Sequence, residues 1–111
     1  MCRALTVLCV ARDAEALAAL KRAAVSAEWE LAPGATNERD ALDQVDELRP
    51  HVLVVSGPFA SLVEEARRRV GAMRVVSVRP LAGSDAVVDS LGDVRAAVVG
   101  RAAPGGPVRT R

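Results

Sequence analysis

The sequence predicts a three-layer α/β fold: a parallel five-stranded sheet with helices packed on it. Three observations carry that reading. Short apolar runs alternate with stretches whose apolar residues recur at helical spacing. The connections between them are a few residues long, and right-handed crossovers then force the strands parallel. A chain of 111 residues, 50% of them hydrophobic, is one domain with enough apolar material to bury a sheet on both faces.

Each element can be justified in turn. Leu5 to Ala11 is a nearly continuous apolar run, as a fully buried strand requires. Asp13 to Ala27 carries Leu17, Leu20 and Ala24 at helical spacing, with Lys21 and Arg22 turned outward. Trp29 to Ala32 is a short second strand stopped by Pro33-Gly34, and Trp29 plugs the sheet edge beside it. Asn37 caps the next helix, with Asp40 at its third position and Ala41, Leu42, Val45 and Leu48 as its apolar stripe. Pro50 ends it. Val52 to Ser56 is the third strand.

Ser61-x-x-Glu64 has the form of a capping box, so a third helix is expected to start there, with Leu62, Val63, Ala66 and Val70 facing inward. Arg67, Arg68 and Arg69 fall in its last turn as a solvated, dipole-complementing end, and Gly71 stops it. Met73 to Val78 is the fourth strand. Ser84, followed by Asp85, is expected to cap a fourth helix through Val87, Val88 and Leu91, with Asp85 and Asp89 facing water and Gly92 as its stop. Ala96 to Val99 is then the fifth strand. Residues 1–102 form the domain, and 103–111, with Pro-Gly-Gly-Pro, read as a flexible tail or linker.

Five strands of this size adopt by default the flavodoxin-like order 2-1-3-4-5. In that order a fifth helix normally joins the first on one face of the sheet. This reading has no such terminal helix, so it leaves the face over the first, third and fifth strands undercovered. An uncovered Val/Ala surface marks a contact with a partner, a missing segment or a second copy of the chain.

Composition excludes several functions. The 15 basic and 14 acidic residues leave a net charge of +1, so no basic footprint for nucleic acid exists. Aromatic residues are 2% of the chain, Trp29 and Phe59 only, which removes base-stacking platforms. No apolar stretch approaches the ~20 residues that span a bilayer, and Arg3 with Ala4 to Ala11 is too short for a secretory signal. A cytoplasmic location follows. Cys2 and Cys9 make no CxxC pair, and Cys9 in mid-strand reads as a small hydrophobe. No metal or cofactor is expected. His51 stands at the amino end of its strand and is structural or solvated, and Glu64 and Glu65 belong to a helix start.

Ligands of open parallel sheets bind beyond the carboxyl ends of the strands, where the strand order reverses. The first strand delivers Ala11, Arg12 and Asp13 there, and the third delivers Ser56, Gly57 and Pro58. The fourth delivers Val78, Arg79 and Pro80, and the fifth Gly100 and Arg101. Arg12, Arg79 and Arg101 would rim one cleft beside Ser56 and the Gly57 amide, a set suited to an anion such as a phosphate or nucleotide.

The length, the element order, the run VLCVARDAEALAALKRAA and the strand RPHVLVVSGP resemble the receiver domain of two-component response regulators over about residues 3 to 101. The resemblance implies an acidic Mg²⁺ pocket after the first strand and a phosphoacceptor aspartate at the end of the third. Here Ala11 and Arg12 stand at the acidic positions, with Asp13 one place later, and Ser56 stands at the phosphoacceptor position. The switch hydroxyl would fall at Ser77 or Val78, and the family's lysine at Gly100 or Arg101. The resemblance is therefore to a pseudo-receiver, a regulatory or localisation module that works through protein contacts, as a homodimer or with another protein. Such modules also stand at the amino end of larger proteins, including MinD-like ATPases of pilus localisation, and the tail would suit a linker to such a domain. An anion or nucleotide sensor and a fragment of a larger enzyme are the alternative readings.

Overall fold

A computed structural model describes residues 5–81 and 83–99 of the chain. Five strands, β1 (Leu5–Ala11), β2 (Trp29–Leu31), β3 (Val52–Ser56), β4 (Arg74–Val78) and β5 (Ala86–Val88), form one parallel sheet. Their order is β2-β1-β3-β4-β5. The α-helices among the described residues are α1 (Ala14–Ala24), α2 (Glu38–Leu48), α3 (Ala60–Arg69) and α4 (Val94–Val99). A fifth α-helix is absent among the described residues, and none of the described helices is long and apolar enough to cross a membrane.

Strand alternation divides the core into two layers. Val7, Cys9, Ala11, Val52, Val54, Val76 and Val88 face α1 and α4, where Leu20, Ala24, Val94, Ala97 and Val98 meet them. Leu8, Val10, Leu53, Val55 and Val75 face α2 and α3, against Ala41, Val45, Leu62, Val63 and Ala66. With aromatics nearly absent, short branched side chains fill both layers. Trp29 is buried as expected, and its indole Nε1 donates to the Ala24 carbonyl at 2.7 Å, joining the start of β2 to the end of α1.

Caps set the helix starts. Asn37 Oδ1 accepts the Asp40 amide at 2.8 Å, as its position predicts. Arg49 closes α2 in the left-handed region at φ 47°, donating its amide to the Val45 carbonyl. His51 is structural. Its Nδ1 accepts the Thr6 amide at 3.1 Å, its own amide donates to the Thr6 carbonyl, and its carbonyl accepts the Arg74 amide. It ties β1, β3 and β4 together at the sheet end opposite the cleft.

Two expectations are corrected. Ser61 caps nothing: α3 starts at Ala60, its N-cap Phe59 makes no side-chain hydrogen bond, and Ser61 Oγ donates to Glu38 Oε1 on α2. The larger correction concerns residues 84–99. The segment read as a fourth helix contains strand β5, and the segment read as the fifth strand is helix α4. Val87 and Val88 are β-branched and find partners on β4, Ser77 and Val78, so pairing overrides the apparent Ser84-Asp85 cap. The face over β1, β3 and β5 is consequently covered by the short α4. The missing cover lies on the opposite side, where no helix among the described residues crosses from β4 to β5 and Val87 remains 47% exposed.

A loop over residues 79–85 replaces that helix. Asp85 holds it: its amide donates to the Val75 carbonyl at 2.8 Å while its Oδ2 accepts the Val75 amide at 2.8 Å. Arg67 of α3 donates to the Gly83 carbonyl and, at 2.7 Å, to the same Asp85 oxygen. Parallel neighbours normally need a helical crossover, and these contacts let a short loop do the same work.

Candidate functional site

The pairing register places Ala11, Ser56, Val78 and Val88 side by side across β1, β3, β4 and β5 at the carboxyl ends of the strands. Alternation turns this row toward the α1 and α4 face, with Ser56 half-buried. Ala11 and Val78 flank Ser56 with hydrocarbon alone. Among the described residues the Ser56 hydroxyl has no side-chain hydrogen bond, so nothing there would activate it as a nucleophile.

Asp13, the one acid near this row on the β1 side, is already engaged. Its Oδ1 accepts the Ala16 amide at 2.8 Å as the N-cap of α1. A cap of this kind positions a helix and takes the oxygen away from the cleft. Among the described residues no group of three or more His, Cys, Asp or Glu side chains could hold a metal ion.

Arg12 is exposed and its stem crosses from β1 to the loop after β3. A Cβ added at Gly57 would come within 2.9 Å of Arg12 Cγ and 3.0 Å of Phe59 Cε2. The glycine, at φ +133°, is therefore required both by backbone and by space. Arg79 is also exposed and sits at φ 85°, uncommon for a side-chain-bearing residue. Its amide donates to the Val88 carbonyl, and its carbonyl accepts the Ser77 hydroxyl. Ser77, 1% exposed, is thus spent on the local turn, and Val78 at the neighbouring position has no hydroxyl.

Gly100 and Arg101 lie outside the described residues, and the strand expected to deliver them is α4. The residues that follow the real β5 are Asp89 and Ser90, both exposed. Among the described residues the strand ends thus carry Arg12 and Arg79 together with Asp13 and Asp89, a balance close to neutral. Asp89 stands at the cleft end of a strand, where the helix reading had placed it on a solvated helix face.

In the Arg67 to Arg69 run only Arg68, 64% exposed, is solvated as expected; Arg67 and Arg69 are partly buried in pairs. Arg67 pairs with Asp85 at 2.7 Å, Arg68 with Glu65 at 2.6 Å and Glu64 at 3.6 Å, and Arg69 with Asp46 at 2.6 Å and Glu65 at 3.2 Å. Donating to the Glu65 carboxylate, with Asp46 nearby, raises the Arg69 pKa. Arg69–Asp46 binds α3 to α2 and Arg67–Asp85 binds it to the turn before β5, while the Arg68 pairs and Arg69–Glu65 stay within α3. Cys9 is buried between strands, and desolvation pushes its thiol up to about 12, which leaves it inert as a nucleophile. Asp85, expected to face water on a helix, is instead the acceptor that joins Val75 and Arg67. The available signal was the Val87-Val88 pair after it, which favours a strand and makes an acid at its mouth a backbone acceptor.

No family model and no curated protein matches this sequence. Solved structures do share its fold. A CheY-like response regulator receiver domain from Methanospirillum hungatei JF-1 superposes with a TM-score of 0.73 at 16% identity, covering 89% of this chain and 94% of that one. The response regulator domain of Thermotoga maritima CheB gives 0.66 at 15% identity, covering 89% and 93%. A cobalamin-binding protein from Desulfitobacterium hafniense DCB-2 gives 0.62 at 17% identity, covering 87% of this chain and 58% of that one. At these identities the likeness is one of fold: receiver-like, flavodoxin-like α/β.

Proposed function

We propose that this domain is a pseudo-receiver: a regulatory module that works through protein contacts and performs no phosphoryl chemistry of its own. One observation carries the reading. The register-matched row at the strand ends is Ala11, Ser56, Val78 and Val88, without a carboxylate, and the adjacent Asp13 is committed to capping α1. Mg²⁺ at such a place needs several hard oxygen ligands, usually carboxylates. An acyl phosphate needs a carboxylate to form on, and a hydroxyl cannot supply one.

The receiver domains among the structural neighbours support the regulatory side of the reading. Among the described residues Arg12 and Arg79 are nearly balanced by Asp13 and Asp89, which favours a contact module over an anion sensor. On this reading the domain is not an enzyme, requires no cofactor and acts in the cytoplasm. The test is incubation with acetyl phosphate and Mg²⁺ followed by intact mass measurement. The expected spectrum is unchanged; an added phosphoryl group would overturn the proposal.

A further inference from the structure

We infer that the outward face of α1 receives a second copy of this chain, in an antiparallel two-fold contact. The inference rests on the contact-module reading and names its partner. Helix α1 buries Leu20 and Ala24 against the sheet. Its exposed positions include Glu15, Ala18 and Arg22, with Val25 following as the C-cap at 53% exposure. Steps of three and four residues put these four side chains on one stripe pointing away from the protein.

The charges on this stripe are unmatched among the described residues. Glu15 and Arg22 make no ion pair or side-chain hydrogen bond among the described residues. On α3, by contrast, Arg67, Arg68 and Arg69 all have carboxylate partners. The acid and the base lie seven positions apart along the helix, with Ala18 and Ala19 midway between them.

A two-fold interface is self-complementary: if residue i meets residue j, then j meets i. Two α1 helices laid antiparallel, with the axis between Ala18 and Ala19, set Glu15 of each copy against Arg22 of the other. At ~1.5 Å rise per residue the two ion pairs fall about 5 Å to either side of the axis. Alanine at the crossing lets the helices approach toward the short end of the usual ~8–10 Å interaxial range. Both polar ends are then satisfied by one motion. A parallel pairing would face like charges, so the stripe specifies direction as well as partner. Exposed ion pairs on a small contact contribute little each, so the dimer is weak and loosens with added salt.

Charge reversal tests this on the full chain by sedimentation velocity. Glu15→Arg makes the stripe wholly basic, and Arg22→Glu makes it wholly acidic. Each variant alone should associate at least about tenfold more weakly than wild type, because like charges now face each other twice. An equimolar mixture of the two should recover association as a heterodimer, and the double variant should recover a homodimer. Both residues are exposed, and circular dichroism checks that the variants keep their fold. Wild type that stays monomeric while the mixture also fails to associate overturns the inference. So does a dimer indifferent to both reversals, which would place the second copy elsewhere. Phosphorylation by acetyl phosphate would instead overturn the underlying pseudo-receiver reading, whatever the state of association.

Discussion

Replacing Asp85 probes the contact that stands in for the missing crossover helix. In Asp85→Ala the Val75 amide, on a fully buried residue, loses the carboxylate that accepts it at 2.8 Å. An unsatisfied buried amide costs about 1–3 kcal/mol. Arg67 also loses its partner, but the two side chains are 31% and 38% exposed, and a pair of that exposure adds only ~0–1 kcal/mol. The expected loss is about 2–3 kcal/mol, or a Tm lower by roughly 10–20 °C for a domain of this size. Asp85→Asn keeps an oxygen for Val75 and removes the charge, so it should lose about 1 kcal/mol. Urea denaturation followed by circular dichroism measures both.

The pH dependence of the same pair gives an independent check. Burial pushes the Asp85 carboxyl upward, but the Val75 amide and the Arg67 guanidinium outweigh it and hold the group below the usual carboxylate range. A depressed folded-state pKa means stability that is present above the unfolded value, ~3.9, and lost as pH falls through the folded one. The advantage of wild type over Asp85→Asn should therefore be constant from pH 7 to about 5 and shrink toward pH 2. An Asp85→Ala loss under about 0.5 kcal/mol, or a gap unchanged at the acid end, would refute the argument.

Gly57→Ala meets both a backbone at φ +133° and a Cβ within 2.9 Å of Arg12 Cγ, so it should destabilise by about 1–3 kcal/mol in urea titration. A neutral result would mean the loop relaxes freely. Cys9, with its thiol pushed up to about 12, should react with a thiol reagent at pH 8 only as fast as the protein opens. Labelling of Cys9 in the native protein faster than hydrogen exchange of β1 would contradict its burial. Ser56→Asp restores a carboxylate at the strand end, yet Ala11 and Arg12 offer no second acid and Asp13 remains bound to Ala16. It should stay unphosphorylated by acetyl phosphate with Mg²⁺, and a phosphorylated product would show that the metal site needs fewer acids than argued.

Much of the fold was legible because its signals are local. The Leu5 to Ala11 and Val52 to Ser56 runs are apolar on both faces, and Asn37 caps α2 through its own side chain, so neighbours in sequence suffice to read them. The cleft was legible in part: Ala11 and Ser56 sit side by side as their strands require. Ser61 misled, because a capping box is recognised by spacing, whereas its hydroxyl found Glu38 on another helix. The fifth strand misled for a similar reason: which segment forms it depends on pairing with β4, and the residues that follow it are Asp89 and Ser90.

By itself, the sequence determined the parallel sheet, the order β2-β1-β3-β4-β5 and the presence of Ala11 and Ser56 side by side at the ends of β1 and β3, since strand periodicity, short connections and residue identity are properties of the chain. The tertiary structure alone decided residues 84–99. Ser-Asp-Ala-Val-Val and Val-Arg-Ala-Ala-Val-Val are both short apolar segments that suit either helix or strand. The choice falls to distant partners: β4 offers Val76 to Val78 for pairing, Asp85 closes on Val75 and Arg67, and the apolar face beneath α4 accepts Val94, Ala97 and Val98. Those energies come from groups far apart in sequence, so no local pattern carries them.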